Sequence, residues 1–413
     1  MLVEFEGYKF VDGGVVAAKG FKASGIHCGI RKNKEKKDLS LLVAAGPVPT
    51  AAVYTQNKVK GAPIAVTKAN IADGYAQAVI VNSGIANTCN ADGEEKALGM
   101  CEIAAHEMDI LPTDIVVAST GVIGEPLDLT PIESGIYQLV DELDGTPEAG
   151  LHFEEGIMTT DTEPKMVAVE FTLGGKTCRI GGCAKGSGMI HPNMATMLCF
   201  LTTDVAITPD MLQIALKRVV DDTFNMVSVD GDTSTNDTCC IMASGDAGNA
   251  RIDHQGEDFT QFVNALYAVL MNLSRLIAGD GEGATRLVEC TVTGAVTKEQ
   301  ARIVAKSVIC SSLMKAAIFG ADANWGRALC AIGYAPVDVD VDRIDMAFGS
   351  AAGVLPVCKD GAGMPFSEEI AKEILSQPEV KLLINLNAGD EQAIAWGCDL
   401  TYDYVRINGD YRS

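Results

Sequence analysis

Residues 185–198, KGSGMIHPNMATML, form the most informative segment of the chain, because two glycines alternate with small residues before a proline and an alanine–threonine pair. A threonine hydroxyl is a poor nucleophile near neutral pH. If the peptide bond before Thr196 is cleaved, the freed α-amine has a pKa near 7.7–8.0 and can act as the general base. Ala195 leaves room for the Thr196 hydroxyl to attack the preceding carbonyl. The residues therefore allow a self-cleaved threonine nucleophile, whereas composition alone favours a buried glycine-rich turn with a core threonine.

Around this segment, short apolar runs alternate with helical patterns. Apolar runs that lead into glycine-containing turns predict buried strands at 76–81, 115–118 and 381–386. Helices are predicted at 96–108, after the N-cap Thr208, at 258–278, and from a capping box of Thr297 and Gln300 towards Ala317. Mixed strands and helices throughout indicate an α/β or α+β fold built in layers. The glycine-rich turn 279–283 suggests a domain boundary near 280–290.

Composition and charge exclude several classes of protein. The chain has 413 residues, a mass of 43.4 kDa and a formal net charge of −23. A hydrophobic fraction of 47% is typical of a globular protein and excludes a disordered or fibrous chain. The acidic surface argues against nucleic-acid and anionic-membrane partners. The beginning of the sequence has no basic, apolar signal, and no uncharged apolar run approaches the roughly 18 residues of a membrane span. We therefore expect a cytoplasmic protein with no membrane and no nucleic-acid partner.

The thirteen cysteines do not form a disulfide or zinc pattern, since their number is odd and no C-x-x-C occurs. They are expected to be small buried apolar residues in a reducing compartment. The five histidines are scattered, and the sequence contains no phosphate loop, no zinc helix and no G-x-S-x-G elbow. No metal site is expected.

Six further motifs accompany the central segment and cover nearly the whole chain. Together with it they resemble the ornithine acetyltransferase family of arginine biosynthesis, whose members cleave themselves. Two small departures from the family pattern are Ile85 and Ala323, and neither is at a position expected to be catalytic. The motifs are STGVIG (119–124), MTTDT (158–162), VDGDTSTND (229–237), AKS (305–307), GADANWGR (320–327) and CDLTYDYVRIN (398–408).

The resemblance implies a fold and an activity. The fold would be an α/β (α+β) layered αββα sandwich like that of the self-cleaving aminopeptidases, spanning 1–284, with a smaller C-terminal α/β domain at 285–413 whose tail returns to the active site. The reaction would be acetyl transfer from N2-acetyl-L-ornithine to L-glutamate through an acetyl-threonine intermediate, without a cofactor. Acetyl-CoA is a second donor in some members of the family. The cleaved α and β fragments would assemble as an α2β2 heterotetramer.

The resemblance also assigns roles to single residues, each matched by its motif. Thr196 would be the nucleophile, and the base through its α-amine, with Ala195–Thr196 as the cleaved bond. Thr120 and Gly121 would form the oxyanion hole. Thr160 remains an alternative to Thr159, because adjacent threonines cannot be separated by sequence. The implied substrate contacts are Thr159, Lys185, Thr196, Glu282, Asn408 and Ser413.

Two other functions remain open at this point. A self-cleaving amidase or aminopeptidase of the same fold group would share the nucleophile but release the acyl group to water. A non-catalytic binding or scaffold protein would stay uncleaved and form no acetyl-enzyme. Lys185 and the C-terminal motif favour the transferase over the first alternative.

Overall fold

The structure is a computed structural model that describes residues 2–191 and 197–410. Strands and helices alternate along the chain, as the sequence predicts. The strands are β1 (Lys9–Phe10), β2 (Phe21–Ile26), β3 (Leu39–Tyr54), β4 (Tyr75–Ile85), β5 (Ile115–Val122), β6 (Met166–Leu173), β7 (Lys176–Lys185), β8 (Leu198–Thr203), β9 (Val227–Ser228), β10 (Thr238–Ala243), β11 (Leu287–Ala295), β12 (Asp345–Ser350), β13 (Gly353–Lys359), β14 (Ala362–Gly363), β15 (Glu379–Asn385) and β16 (Glu391–Cys398). The α-helices are α1 (Ala62–Asn70), α2 (Gly93–Met108), α3 (Thr130–Asp141), α4 (Pro147–Ile157), α5 (Pro209–Val220), α6 (Glu257–Gly279), α7 (Lys298–Cys310), α8 (Ser312–Phe319), α9 (Trp325–Gly333), α10 (Glu368–Leu375) and α11 (Tyr402–Asp410).

Two of the predicted element boundaries, the end of β5 and the end of the helix after Thr297, are wrong. β5 continues through Thr120 and Gly121, where a turn was predicted, because these residues keep pairing in register with β4. The helix that begins after Thr297 ends at Cys310 and does not run to Ala317. Ser311 separates α7 from α8, and its hydroxyl caps α8 by accepting a hydrogen bond from the Met314 N–H at 3.2 Å.

The first sheet is folded into two layers by its longest strand. Its order is β1-β6-β7-β8-β10-β3-β4-β5, with β2 also paired to β3. The register between β3 and β4 shifts between Val43 and Val48, and such irregularities bend a strand. The first half of β3 pairs with β2 and β4, and the second half pairs with β10. β3 therefore belongs to both strand layers.

Alternating burial identifies four layers. In β8, Leu198 and Phe200 face the core between the two strand layers, whereas Cys199 and Leu201 face the helices α5 and α6. On the other strand layer, β4 and β5 send alternate side chains into the same central core and onto α2 and α3. Because both faces of these strands are covered, their sequences are continuously apolar. The layers α2/α3, sheet, sheet and α5/α6 form the expected αββα sandwich.

The second sheet has the order β14-β13-β12-β15-β11-β16-β9. Six of its strands lie after residue 284, but β9 comes from the middle of the chain and pairs in parallel with β16. The core of the second sheet is continuous with the core around α5 and α6. The division into domains 1–284 and 285–413 therefore stays a prediction.

Helix α6 is the core helix that the two sheets share. It has 23 residues, and within the described part of the chain it is the one helix long and apolar enough to span a membrane. Most of its apolar window is buried inside the protein, against α5 and strands of both sheets. Burial on all sides accounts for its composition.

The thirteen cysteines are all free thiols, and most are buried. Neighbouring cysteines on one strand face different layers: Cys239 contributes to the core under α5 and α6, and Cys240 to the core between the strand layers. They pack as small apolar side chains, as predicted.

Close contact between α4 and β2 leads to a stability prediction. A Cβ at Gly25 of β2 would overlap the His152 carbonyl oxygen of α4, whereas a Cβ at Gly46 of β3 would have no atom within 4 Å. Gly25→Ala should therefore destabilise the protein by about 1–3 kcal/mol through overpacking. Gly46→Ala should change stability little. Urea unfolding of both variants checks this, and equal midpoints for the two would contradict the packing argument.

Candidate functional site

The end of β5 carries the predicted oxyanion residues. β4 and β5 run parallel, with Thr120 opposite Ser83 and Gly121 opposite Gly84. Gly121 has a φ of +134°, and a Cβ there would overlap the Gly84 backbone, so only glycine fits. Thr120 is half-buried, and its hydroxyl makes no hydrogen bond with any residue that the structure describes. A hydroxyl and a glycine backbone at one strand end are suited to stabilise a developing oxyanion.

The loop after α4 lies beside this strand end. Gly121, Thr159 and Thr160 line one cavity of about 410 Å³, together with Gly84 and Arg31. The structure thus places Thr159 in the same cavity as Gly121, one of the two predicted oxyanion residues. Thr160 lines the same cavity, so the choice between the two threonines remains open.

Asp161 joins the Thr159 loop to the end of β7. It is 5% exposed, and its carboxylate accepts hydrogen bonds from the Thr159 N–H at 2.9 Å, the Gly186 N–H at 2.6 Å and the Lys165 ammonium at 2.7 Å. Burial by itself raises the pKa of Asp161, but the charges of Lys185 and Lys165 lower it far below its usual range. Asp161 is therefore an ionised carboxylate inside the protein.

Lys185 is the last residue of β7 and is almost fully buried. Burial lowers the pKa of its ammonium group, and the nearby carboxylates of Asp161 and Asp237 counteract that effect. Within the described residues, the Lys185 side chain has no hydrogen-bond partner. A buried ammonium group of this kind is suited to bind the carboxylate of a ligand.

Glu282 and Asn408 are in direct contact, although 126 positions separate them in the sequence. The Asn408 Nδ2 donates a hydrogen bond of 2.7 Å to Glu282 Oε2. The Glu282 backbone N–H donates to the Ser187 carbonyl at 3.0 Å, and a Cβ at Gly188 would overlap the Glu282 carboxylate. Glu282 therefore lies against residues that directly follow Lys185.

Helix α11 is anchored to this region by polar contacts. The Tyr404 hydroxyl lies 3.3 Å from Asp230 Oδ2. The Asp230 carboxylate also accepts hydrogen bonds from the backbone N–H groups of Met189, at 2.6 Å, and Ile190, at 2.9 Å. The C-terminal helix is thus linked through Asp230 to the segment that precedes the predicted cleavage site.

Three predicted site residues, Ala195, Thr196 and Ser413, lie outside the described residues. The described flanks are His191 and Met197. Burial, with a contribution from the Lys306 charge, lowers the pKa of His191 to about 4, so its ring is neutral near pH 7. The Met197 carbonyl accepts a hydrogen bond of 2.9 Å from the Thr238 N–H, which fixes the beginning of β8 beside β10.

Sequence reasoning assigned no role to several residues that build this site. Asp161 and Asp237 are inside quoted motifs, but the sequence alone did not distinguish them from their neighbours. Asp237 is fully buried, and burial raises its pKa well above the usual range. Lys165 bridges Asp161 and Asp280, with its Nζ 2.6 Å from Asp280 Oδ2. An acidic residue in a loop otherwise made of threonines, as in MTTDT, is the signal that could have identified Asp161.

The described side chains include no group of three or more histidine, cysteine, aspartate or glutamate residues that could hold a metal ion. The site instead combines buried ammonium groups, buried carboxylates and a strand end with a threonine and a glycine. Such an arrangement can bind a ligand that carries both charges and can stabilise an oxyanion.

Comparison with known proteins identifies the family of this chain. The model of the ArgJ family matches residues 22–413. The arginine biosynthesis bifunctional protein ArgJ of Caldanaerobacter subterraneus subsp. tengcongensis is 46% identical over 406 residues, which are 98% of this chain and 100% of that protein. The protein of the same name from Bacillus subtilis is 46% identical over 98% of this chain and 97% of its own length.

A solved structure of the bifunctional protein argJ from Bacillus halodurans is 47% identical, with a TM-score of 0.50. The alignment covers 100% of that solved chain but only 52% of this one. On the strength of the near-complete family match and of relatives that align end to end, this chain belongs to the ArgJ family.

Proposed function

We propose that this protein transfers an acetyl group from N2-acetyl-L-ornithine to L-glutamate through an ester on Thr196. Membership of the ArgJ family and the arginine-biosynthesis names of its relatives support this function. The observation that carries it is the set of hydrogen bonds around Asp161 and residues 185–188. These bonds connect the Thr159 loop, Lys185 and the Glu282–Asn408 pair, which come from distant parts of the chain.

The first half-reaction makes the ester. The Thr196 hydroxyl attacks the acetyl carbonyl carbon while its own α-amine takes the hydroxyl proton. The negative charge that develops on the carbonyl oxygen is stabilised by Thr120 and Gly121. The C–N bond then breaks, the α-ammonium group of Thr196 returns the proton to the departing amine, and L-ornithine leaves.

The second half-reaction reverses these steps with another amine. The α-amine of L-glutamate attacks the ester carbon, the same oxyanion residues act again, and the Thr196 oxygen leaves with a proton. The products are N-acetyl-L-glutamate and the free enzyme. Water has to be kept from the ester for transfer to exceed hydrolysis.

Both substrates present an α-carboxylate, and Lys185 is proposed to bind it. A carboxylate near the buried Lys185 ammonium would favour its charged form, which burial now disfavours. Glu282, held by Asn408, is proposed to bind a substrate ammonium group. Thr159, Thr196, Asn408 and Ser413 complete the proposed substrate contacts, and acetyl-CoA is the alternative acetyl donor.

Cleavage and assembly are part of the proposal. A cut before Thr196 leaves fragments of 195 and 218 residues, and the longer one is about half of the 413-residue chain. The solved relative from Bacillus halodurans, which is wholly aligned but spans 52% of this chain, supports such a cut. We propose that the fragments form an α2β2 heterotetramer in the cytoplasm, with domains at 1–284 and 285–413.

Self-cleavage gives the first test of this function. Purified protein should separate under denaturing conditions into fragments of roughly 20 and 23 kDa, at about 105 Da per residue. N-terminal sequencing of the longer fragment should begin at Thr196. Thr196→Ala should remain a single chain and be inactive. Active protein that runs as one 43.4 kDa chain would disprove the nucleophile assignment.

The oxyanion assignment predicts the effect of Thr120→Ala. Loss of one donor should reduce kcat by about 10²–10³-fold. KM should change much less, because the charge exists only in the transition state. Thr172→Ala, at an exposed position of β6, is the matched control and should behave like the parent. An effect confined to KM would mean that Thr120 only binds substrate.

The covalent intermediate predicts ping-pong kinetics. Ornithine has to leave before glutamate reacts, so double-reciprocal plots at several glutamate concentrations should give parallel lines. Acetylornithine alone should add the mass of one acetyl group to the fragment that begins with Thr196, and glutamate should remove it. Intersecting lines with no acetylated fragment after rapid acid quench would instead indicate direct transfer. Steady release of acetate without glutamate would favour the amidase alternative.

A further inference from the structure

Asn236 lies between the strand that follows the predicted nucleophile and the strand that carries the predicted oxyanion residues. β10 runs parallel to β8, with Thr238 opposite Leu198. Asn236 is two residues before Thr238, and Thr196 is two residues before Leu198. Asn236 lies in the irregular segment just before β10, and the pairing of β10 with β8 therefore fixes it relative to the beginning of β8.

The Asn236 amide uses its complete hydrogen-bonding capacity. Its Nδ2 donates to the Ala86 carbonyl at 2.6 Å and to the Ser119 carbonyl at 2.9 Å. Its Oδ1 accepts from the Thr88 hydroxyl at 2.6 Å and from the Thr235 hydroxyl at 2.5 Å. Because a carbonyl oxygen can only accept, the nitrogen has to face Ala86 and Ser119, which settles the orientation of the amide.

These bonds connect Asn236 to the neighbouring strands β4 and β5, whose bonded residues lie 150 and 117 positions away in the sequence. Ser119 directly precedes Thr120 on β5, and Ala86 directly follows β4. The side chain is 8% exposed, so its partners have little access to water as a replacement. A Cβ at Gly61 would lie 2.6 Å from the Asn236 nitrogen, which leaves the amide little space to rotate or shift.

We infer that Asn236 is a positioning residue that fixes the Thr120–Gly121 strand end relative to the beginning of β8, the strand that follows the predicted nucleophile. This inference rests on the proposed function, because it assumes that Thr120 and Gly121 stabilise the oxyanion. Asn236 acts through the Ser119 carbonyl and does not touch the substrate. A displacement of catalytic groups by about 1 Å can cost on the order of 10²-fold in rate.

Asn236→Asp is the principal test. The variant keeps the size of the side chain and the acceptor for Thr88, but an ionised carboxylate cannot donate to Ala86 and Ser119. We expect kcat, per mole of cleaved enzyme, to fall by about tenfold or more with little change in KM, as for a transition-state effect. A protonated carboxyl can donate one hydrogen bond, so the ratio of variant to parent kcat should recover as the pH is lowered.

Asn249→Asp is the matched control. Asn249 is also a buried asparagine, and its amide contacts Ala206 and Ala250 beyond the opposite end of β8. The same chemical change there should affect stability without lowering kcat. A comparable and equally pH-dependent loss of kcat in Asn249→Asp would show that the effect is general, and would overturn the inference.

Thr88→Val provides a second variant in case Asn236→Asp does not fold or is not cleaved. It removes one hydroxyl that donates to Asn236 Oδ1 while keeping the side-chain shape. It should lower kcat several-fold with KM unchanged. If Asn236→Asp folds and is cleaved, normal kcat in both variants would overturn the inference. If Asn236→Asp cannot be assayed, normal kcat in Thr88→Val is sufficient to overturn it.

A double-mutant cycle with Thr120→Ala separates this inference from the proposed function. If Asn236 acts by positioning Thr120, the two losses of kcat should be less than additive. Fully additive losses would overturn the positioning role. A failure of the oxyanion assignment looks different, because Thr120→Ala alone would then leave kcat unchanged, and a failure of acetyl transfer itself would appear as steady acetate release without glutamate.

Discussion

The candidate site depends on the interactions of the buried Asp161 carboxylate with its neighbours. It accepts two backbone N–H groups and the Lys165 ammonium, and it is close to the charge of Lys185. An isolated buried carboxylate would be strongly destabilising, so its partners are needed for it to remain charged. The same bonds fix the backbone at Thr159 and Gly186. The hydrogen bonds that stabilise the Asp161 charge therefore also fix the Thr159 loop relative to the segment that follows β7.

The sheet supplies the second constraint on the site. β4 pairs in parallel with β5, and β8 pairs in parallel with β10. The first pair positions the end of β5 with Thr120 and Gly121, and the second positions the beginning of β8. Strand register is determined by side-chain burial on both faces, because a slip of one residue would exchange the two faces of every strand. The long strand β3 connects these pairs, since it contacts β4 in one layer and β10 in the other. Core packing thus determines strand register, and strand register determines where these strand ends lie.

Much of this architecture could be predicted from the sequence. The apolar runs at 76–81 and 115–118 correctly identified buried strands, and the Thr208 cap correctly placed the start of α5. The roles of Asp161 and Asn236 could not be predicted, because their partners are separated from them by tertiary folding; Asn236 contacts Ala86 across 150 positions. The extension of β5 through Gly121 was missed for a related reason. Glycine normally indicates a turn, whereas here it is required by the close approach of Gly84.

The location of the proposed cut explains why two fragments would remain one protein. β7 lies before the cut and β8 after it, yet the two strands pair from Lys185–Leu198 to Ile180–Thr203. On its other side β8 pairs with β10, and β10 pairs with β3, which again precedes the cut. In the first sheet, β8 and β10 of the later fragment are therefore enclosed between β7 and β3 of the earlier one. Separation would require breaking two hydrogen-bonded ladders and exposing the apolar cores on both faces of β8. Cleavage of one peptide bond removes none of these interactions, so the cut can create a new amino terminus without loss of the fold.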